Sequence, residues 1–180
     1  MKKNNKKKFF LKGKKIFLRP FELNDITKEY RYHINNISEE GIATIFPKNY
    51  LQLKEYYLNH KKSNNSFFFT VSDLNNNNVG TASISSIDWV SKNATYGRLI
   101  FSKFRKLGYG SETLKLIKDY AFNFLNLNSL WTFVLSKNLA SIKSNLKLKG
   151  KVCGQLKKHI YKNGKYLDVT LIQHKKTNLK

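Results

Sequence analysis

The stretch Phe104-Arg105-Lys106-Leu107-Gly108-Tyr109-Gly110-Ser111 decides how the chain is read. It follows an apolar, strand-like run over residues 96–101. It opens into a pattern in which Leu114, Ile117, Ala121 and Phe124 recur at steps of three and four. That spacing gathers them on one helix face. The first N–H groups of a helix have no intrahelical partner, and the aligned peptide dipoles make that end positive. Gly108 and Gly110 carry no Cβ, so the backbone can turn sharply and approach a bound anion. Arg105 and Lys106 add positive charge at the mouth of the turn. The stretch is not a Walker loop, because no Gly-Lys-Ser/Thr follows at the required spacing, and it is not a dinucleotide fingerprint, because the third glycine position falls on Thr113. It reads as a phosphate or pyrophosphate cradle between a strand and a helix.

Outward from that turn the chain divides into short alternating segments. A first strand over residues 14–20 stops at Pro20. Asn24 or Asp25 can cap a helix carrying Ile26, Tyr30 and Ile34, with His33 as an ordinary helix residue. An irregular stretch over residues 36–49 leads to a second helix over 51–60. Phe67, Phe69 and Val71 alternate with Phe68, Thr70 and Ser72 in a strand over 66–73. The four asparagines 75–78 form a turn. Strands over 79–87 and 94–101 complete an antiparallel meander. After the glycine turn come a helix over 111–124, a strand over 130–135 and a short helix over 140–147 with Ile142 and Leu146 facing inward. Strands over 151–161 and 165–173 flank Asn163-Gly164, the strongest short hairpin signal. The expected organisation is a single domain over 14–175, preceded by a basic, disordered tail (1–13) and followed by a short one (176–180).

Composition narrows the possibilities. At 180 residues, with 41% hydrophobic and 14% aromatic content, the chain can bury a proper core. Cys153 is the single cysteine, which excludes an intramolecular disulfide and a cysteine zinc site and fits a reducing cytoplasm. The expectation is no metal, no membrane span and no secretory leader. The net charge of +23 invites a nucleic-acid reading. However, the excess is lysine spread along the whole chain, and it travels with Asn, Ile, Phe and Tyr, which share A/T-rich codons. Nucleic acid is therefore not the expected partner, whereas anionic small ligands are.

The Arg-x-x-Gly-x-Gly spacing from Arg105 to Gly110 resembles the acetyl-CoA pyrophosphate loop of the GNAT acetyltransferase superfamily. The order of segments matches that fold. Leu18-Arg19-Pro20 with Asp25-Ile26-Thr27 resembles the branch acting on amino sugars or ribosomal-protein N-termini, as do Ile87-Asp88-Trp89 and the final hairpin string His159-Ile160-Tyr161. The resemblance implies an α/β (α+β type) fold: a central mixed, mostly antiparallel twisted sheet of six to seven strands with helices on both faces. It implies an N-acetyltransferase moving an acetyl group from acetyl-CoA to a primary amine. The expected acceptor is an amino sugar or a nucleotide-linked amino sugar. The alternatives are a protein N-terminus or a non-catalytic CoA-binding protein, and the expected assembly is a monomer or homodimer.

By the same resemblance, backbone N–H groups near Ile100 and Phe101 would hold the pantetheine arm. Arg105, Lys106, Leu107, Gly108, Tyr109, Gly110 and Ser111 would hold the pyrophosphate, and Asn138 with Ser141 would complete the cofactor site. The chain departs from the family where acid–base groups often stand. Asn145 takes the place of a tyrosine and Thr95 the place of a carboxylate. Asp88, as proton acceptor, and a cleft-facing Tyr96 are the remaining catalytic candidates. Cys153 reads as a buried strand residue, and Glu112 as a charge favouring the helix N-terminus.

Overall fold

Phe67, Phe68 and Phe69 must point alternately to opposite sides of their strand, so the sheet that holds them needs cover on both faces. The computed structural model describes residues 10–36, 46–62 and 64–176. Its elements in chain order are β1 (Leu11–Lys12), β2 (Ile16–Pro20), α1 (Lys28–Asn35), α2 (Tyr50–Lys61), β3 (Phe67–Asp73), β4 (Asn78–Asp88), β5 (Asn93–Ile100), α3 (Tyr109–Asp119), β6 (Ser129–Leu135), α4 (Leu139–Lys147), β7 (Lys151–Lys162) and β8 (Lys165–Lys175). The strands form one sheet in the order β1-β2-β3-β4-β5-β6-β8-β7. Every neighbouring pair is antiparallel except β5 and β6, which are parallel. Eight strands stand where six to seven were expected. The addition is β1, whose Leu11 and Lys12 pair with Leu18 and Phe17 inside the presumed tail. Residues 1–9 and 177–180 of the expected tails, and the part of the irregular stretch over 37–45, lie outside the described residues.

On one face, Phe69, Val71, Ile84 and Leu130 pack against Leu114, Ile117 and Ala121 of the helix that follows the glycine turn. On the other, Phe68 joins Phe21, Ile26 and Leu53 under α1 and α2. The apolar stripe of α3 is as expected as far as Ala121. Phe124 is not part of it and is 67% exposed. The reason is a π-turn over Tyr120–Phe124, in which Leu125 N–H donates to Tyr120 C=O five residues back. The wider turn rotates the face by roughly one residue, so that Phe122 goes in and Phe124 goes out. In α4 the inward residue is Asn145 rather than Leu146, which is 46% exposed. Cys153 is likewise exposed, on the outer strand β7. Asn163 and Gly164 have φ of 52° and 75° and close β7 onto β8 in the mirror-image turn that matches strand twist.

Neither Asn24 nor Asp25 caps α1. Thr27 does, accepting from Tyr30 N–H. Asp25 instead is buried and joins the arm to the sheet. Arg19 and Thr70 are cross-strand partners of β2 and β3, and both reach it. Arg19 donates in bidentate fashion at 2.7 and 2.6 Å, and Thr70 Oγ1 donates at 2.8 Å. Glu22 N–H supplies a further bond at 2.8 Å. Glu112 also has a use the sequence did not suggest. Its carboxylate accepts from the backbone N–H groups of Lys14 and Lys15 and so ties the β1–β2 turn to α3. We predict that Asp25→Ala, which strands Arg19 and Thr70, lowers the unfolding free energy by about 2–3 kcal/mol. Urea titration checks this, and a loss below about 1 kcal/mol contradicts the anchoring role assigned to Asp25.

Candidate active site

Parallel strands share a ladder only while their axes stay close. β5 and β6 do so for three residue pairs, Asn93 with Ser129, Ala94 with Leu130 and Thr95 with Trp131. Beyond Thr95 they separate. β6 stays with β8 up to Leu135, and β5 stays with β4 up to Ile100. The fork leaves a cleft of about 990 Å³, closed at Thr95 and Tyr96, walled by α4, and open at the glycine turn. The backbone of β5 beyond the fork has no neighbouring strand on this side, so it can bond an elongated ligand.

At the mouth, Lys106 (φ 64°) and Gly108 (φ 86°) both adopt left-handed backbone. Such alternation turns successive N–H groups toward one point and makes an anion-binding concavity. Gly108 is the N-cap of α3 and no side chain caps it, so the first-turn N–H groups remain available. Helix α4 contrasts with it. Its N-cap, Asn138, spends Oδ1 on Ser141 N–H at 3.1 Å and leaves its NH₂ group free of the cap. The exposed end of α3 is thus the electropositive one. Arg105, held by its Nε–H to Ile100 C=O at 3.1 Å, stands beside it. Lys15, whose Nζ donates to Leu107 C=O at 3.2 Å, is close by and would lie 3.8 Å from a Cβ placed on Gly108.

Of the residues singled out in the sequence, Tyr96, Ile100, Arg105, Lys106, Gly108, Tyr109, Gly110, Ser111, Asn138 and Ser141 line this cleft together. Three do not. Asp88 is an exposed turn residue whose Oδ1 accepts from Val90 and Ser91 N–H at 2.9 and 2.8 Å. Hydrogen bonds from Ser91, and then from Val90, hold its pKa down. It does not line the cleft. Phe101 N–H is already given to Val79 C=O at 3.0 Å, and its ring is buried, stacked on His33. Leu107 does not line the cleft and is 48% exposed, and its carbonyl accepts from Lys15 Nζ.

Behind the closed end lies a group that sequence reading missed, His174, joined to Tyr96 and Asn145. Tyr96 Oη donates to Asn145 Oδ1. His174 Nε2 lies 3.0 Å from the same oxygen, and Asn145 Nδ2 donates to Ser141 C=O at 2.8 Å. Tyr96, Asn145 and His174 come from β5, α4 and β8, and all are buried. Burial pushes the Tyr96 phenol up to about 12 and pulls His174 down to about 4, with the charges of Lys118 and Arg98 adding to the latter. Arg98 donates to Gly110 C=O at 2.7 Å and lies between the cleft and a second cavity. Among the described residues lining the cleft there is no carboxylate and no histidine.

The second cavity, of about 270 Å³, lies between the sheet and the α1–α2 arm. Phe21, Tyr30, Tyr56, Tyr57 and Phe68 give it an aromatic wall, and it shares Ile34, Ser83 and Gly97–Leu99 with the donor-side cleft. The ammonium of Lys48 sits over the Tyr56 ring, 4.8 Å from its centroid. Burial pushes the Tyr30 phenol up to about 12 and raises those of Tyr56 and Tyr57, so these rings are uncharged at neutral pH.

A forked sheet with an uncapped, glycine-led helix at its mouth defines a protein that binds a long, phosphate-bearing acyl carrier. The chain belongs to the GNAT acetyltransferases: the family model described as "Acetyltransferase (GNAT) domain" matches residues 15–150. It is an N-acetyltransferase, and acetyl-CoA is its co-substrate. Spermidine N(1)-acetyltransferase of Escherichia coli K12 is 26% identical over 165 residues, covering 88% of this chain and 87% of the relative. The SPbeta prophage-derived uncharacterized N-acetyltransferase YokL of Bacillus subtilis is 30% identical over 125 residues, covering 68% and 69%. Among solved structures, the spermidine N-acetyltransferase of Vibrio cholerae with CoA and spermine superposes with a TM-score of 0.85 at 21% identity, covering 90% of this chain and 96% of that one. A dodecameric form of the Vibrio cholerae protein gives 0.77 at 22% identity, covering 90% and 94%. The relatives with a named acceptor are spermidine enzymes, so the amino-sugar and ribosomal-protein branches suggested by the short strings find no support among them. Among the described residues no helix is long and apolar enough to cross a membrane.

His174 makes the fold sensitive to acid. Its folded pKa of about 4 lies below the ordinary 6.5, so folding favours the neutral ring. The associated stability is complete above about pH 6.5 and drains away as the pH falls through about 4, for a total of about 3 kcal/mol. Urea midpoints measured from pH 7 to pH 4 should fall less steeply in His174→Gln than in the unaltered protein. Parallel slopes would contradict a neutral, buried His174.

Proposed function

We propose that this enzyme acetylates a primary amine at the end of a flexible aliphatic chain, of the polyamine type, with spermidine as the acceptor to test first. The observation that supports it is the aromatic cavity beside the fork, where an alkylammonium, that of Lys48, already lies over the Tyr56 ring. Rings of this kind attract an ammonium through their quadrupole, by about 0.5–2 kcal/mol each. The methylene stem of the amine is accommodated by the same apolar wall. The named relatives, which act on spermidine, agree with this choice.

The donor is held by the open N-terminus of α3, with Arg105, Lys106 and Lys15 supplying charge to its pyrophosphate and the NH₂ group of Asn138 bonding its arm. Exposed β5 backbone beyond Thr95 positions the thioester and offers N–H groups to the oxyanion. The amine must reach this point uncharged. Arg98 lines both cavities, and its like charge disfavours an ammonium at the reacting end. The field of the whole chain, at +23, acts in the same direction. Binding at the distal rings and deprotonation near Arg98 are thus separate tasks of one cavity.

Gly110→Glu tests the donor assignment cleanly. A Cβ there meets only Ile100 at an ordinary 3.6 Å, and a carboxylate in the first turn favours the helix itself. We expect an unchanged melting temperature and acetyl-CoA affinity weakened by well over about tenfold in calorimetry, through charge repulsion alone. Unchanged affinity removes the pyrophosphate site from this turn. The acceptor assignment is tested by thiol release with spermidine, spermine, a nucleotide-linked amino sugar and a short peptide. Turnover restricted to the sugar or the peptide overturns the polyamine reading.

A further inference from the structure

The closed end of the cleft contains one unusual arrangement. Asn145 has a fixed orientation, because its Nδ2 bonds Ser141 C=O and a flipped amide would set two oxygens against each other. Its Oδ1 therefore faces both Tyr96 Oη and His174 Nε2. An amide oxygen only accepts, so both partners must donate to it. His174 is then protonated on Nε2, which leaves Nδ1 bare. That atom is fully buried and has no hydrogen-bond partner. Gly150 seats the ring, since a Cβ there would lie 2.8 Å from His174 Cε1 and Nε2. The ring also has a hydrogen bond with the Leu148 backbone, which favours its proton against the larger, opposing effect of burial.

Its effect is on Tyr96. With the phenolic proton turned to Asn145, the oxygen keeps its lone pairs for Thr132, a second hydrogen-bond partner, and for a group entering the cleft that Tyr96 and Thr132 both line. No carboxylate or histidine lines that cleft among the described residues, and its other phenol, Tyr109, stands at the mouth.

We propose that Tyr96 is the proton shuttle of the acetyl transfer and that Asn145 and His174 are the residues that position it. The amine nitrogen forms its bond to the acetyl carbon, and the carbon–sulfur bond breaks. Tyr96 takes one proton from that nitrogen and gives its own to the departing sulfur, so the phenol is regenerated and the products are amide and free thiol. When the phenolic proton turns toward sulfur, Asn145 Oδ1 keeps the bond from His174 and is never left bare. A single hydroxyl thereby does the work of the carboxylate and the tyrosine that Thr95 and Asn145 do not supply. The proposal rests on reading the cleft as the donor site, and it is independent of which amine enters.

The test uses the full chain with two amines, spermidine and hydroxylamine, the latter small, neutral and needing no aromatic cavity. Tyr96→Phe, which removes only the hydroxyl, is expected to lower kcat for thiol release by about 100-fold or more, with acetyl-CoA affinity in calorimetry changed by less than about threefold. His174→Leu is expected to lower kcat about tenfold, and His174→Gln, which keeps a donor at the Nε2 position, to restore it to within about threefold. Nitrogen NMR of the unliganded protein should find His174 as the Nε2-protonated neutral ring, a readout that needs no turnover. Tyr96→Phe with kcat within about threefold of the unaltered enzyme, or an Nδ1-protonated His174, overturns the proposal. If His174→Leu does not fold, the Gln variant and the tautomer decide the positioning role. Thiol release with hydroxylamine but not with spermidine refutes the acceptor reading and leaves the Tyr96 comparison intact. Failure of the unaltered protein to bind acetyl-CoA refutes the donor site and this proposal with it.

Discussion

Three backbone pairs between β5 and β6 hold the whole functional arrangement in place. A parallel ladder continued to the ends of both strands would give a smooth sheet with no room between them. Because it stops at Thr95, the two strands part company while each keeps its other neighbour. The sheet pays no lasting penalty for this, since β6 stays bonded to β8 and β5 to β4. The exposed polar edge of β5 is a liability in an empty protein and an asset with a ligand alongside. Helix α3 then places its positive end at the mouth of the fork, and α4 and β8 bring Asn145 and His174 to its base.

Electrostatics at this fork run against simple expectation. A chain of net charge +23 suits an anionic donor, and the loop at residues 105–111 is where that advantage is concentrated. The same charge opposes a polycationic acceptor. On the polyamine proposal, the aromatic wall under α1 and α2 resolves the conflict, because ring quadrupoles attract an ammonium without needing carboxylates.

The parts of the site that lie next to one another in the chain were legible from residues alone. The glycine turn, its helix and the Asn-Gly hairpin each carry their information within a few residues, and each stands where expected. Legibility failed where a neighbour across the fold, or an unforeseen turn, intervened. Phe124 satisfies the helical spacing, yet a π-turn that no periodicity announces turns it outward. Leu146 is the more apolar of two adjacent residues, yet Asn145 goes inside because Tyr96, Ser141 and His174 offer it partners. Asp88 had the right chemistry for a base and the wrong location. Lys15 is indistinguishable in sequence from the many other lysines, and only the β1–β2 turn, strapped by Glu112, carries it to the loop.

By itself, then, the sequence determined the class of protein and the glycine turn that opens helix α3. Those depend on backbone conformation and on unpaired N–H groups, which local residue choice controls. The tertiary structure decided which side chains share the base of the cleft, because residues 96, 145 and 174 meet only after the strands are ordered and the fork has opened. It also decided the character of the cavity under α1 and α2, in which aromatic rings from an arm and a sheet face one another. Long-range burial selects those neighbours, and burial sets both the neutrality of His174 and the proton held on Tyr96.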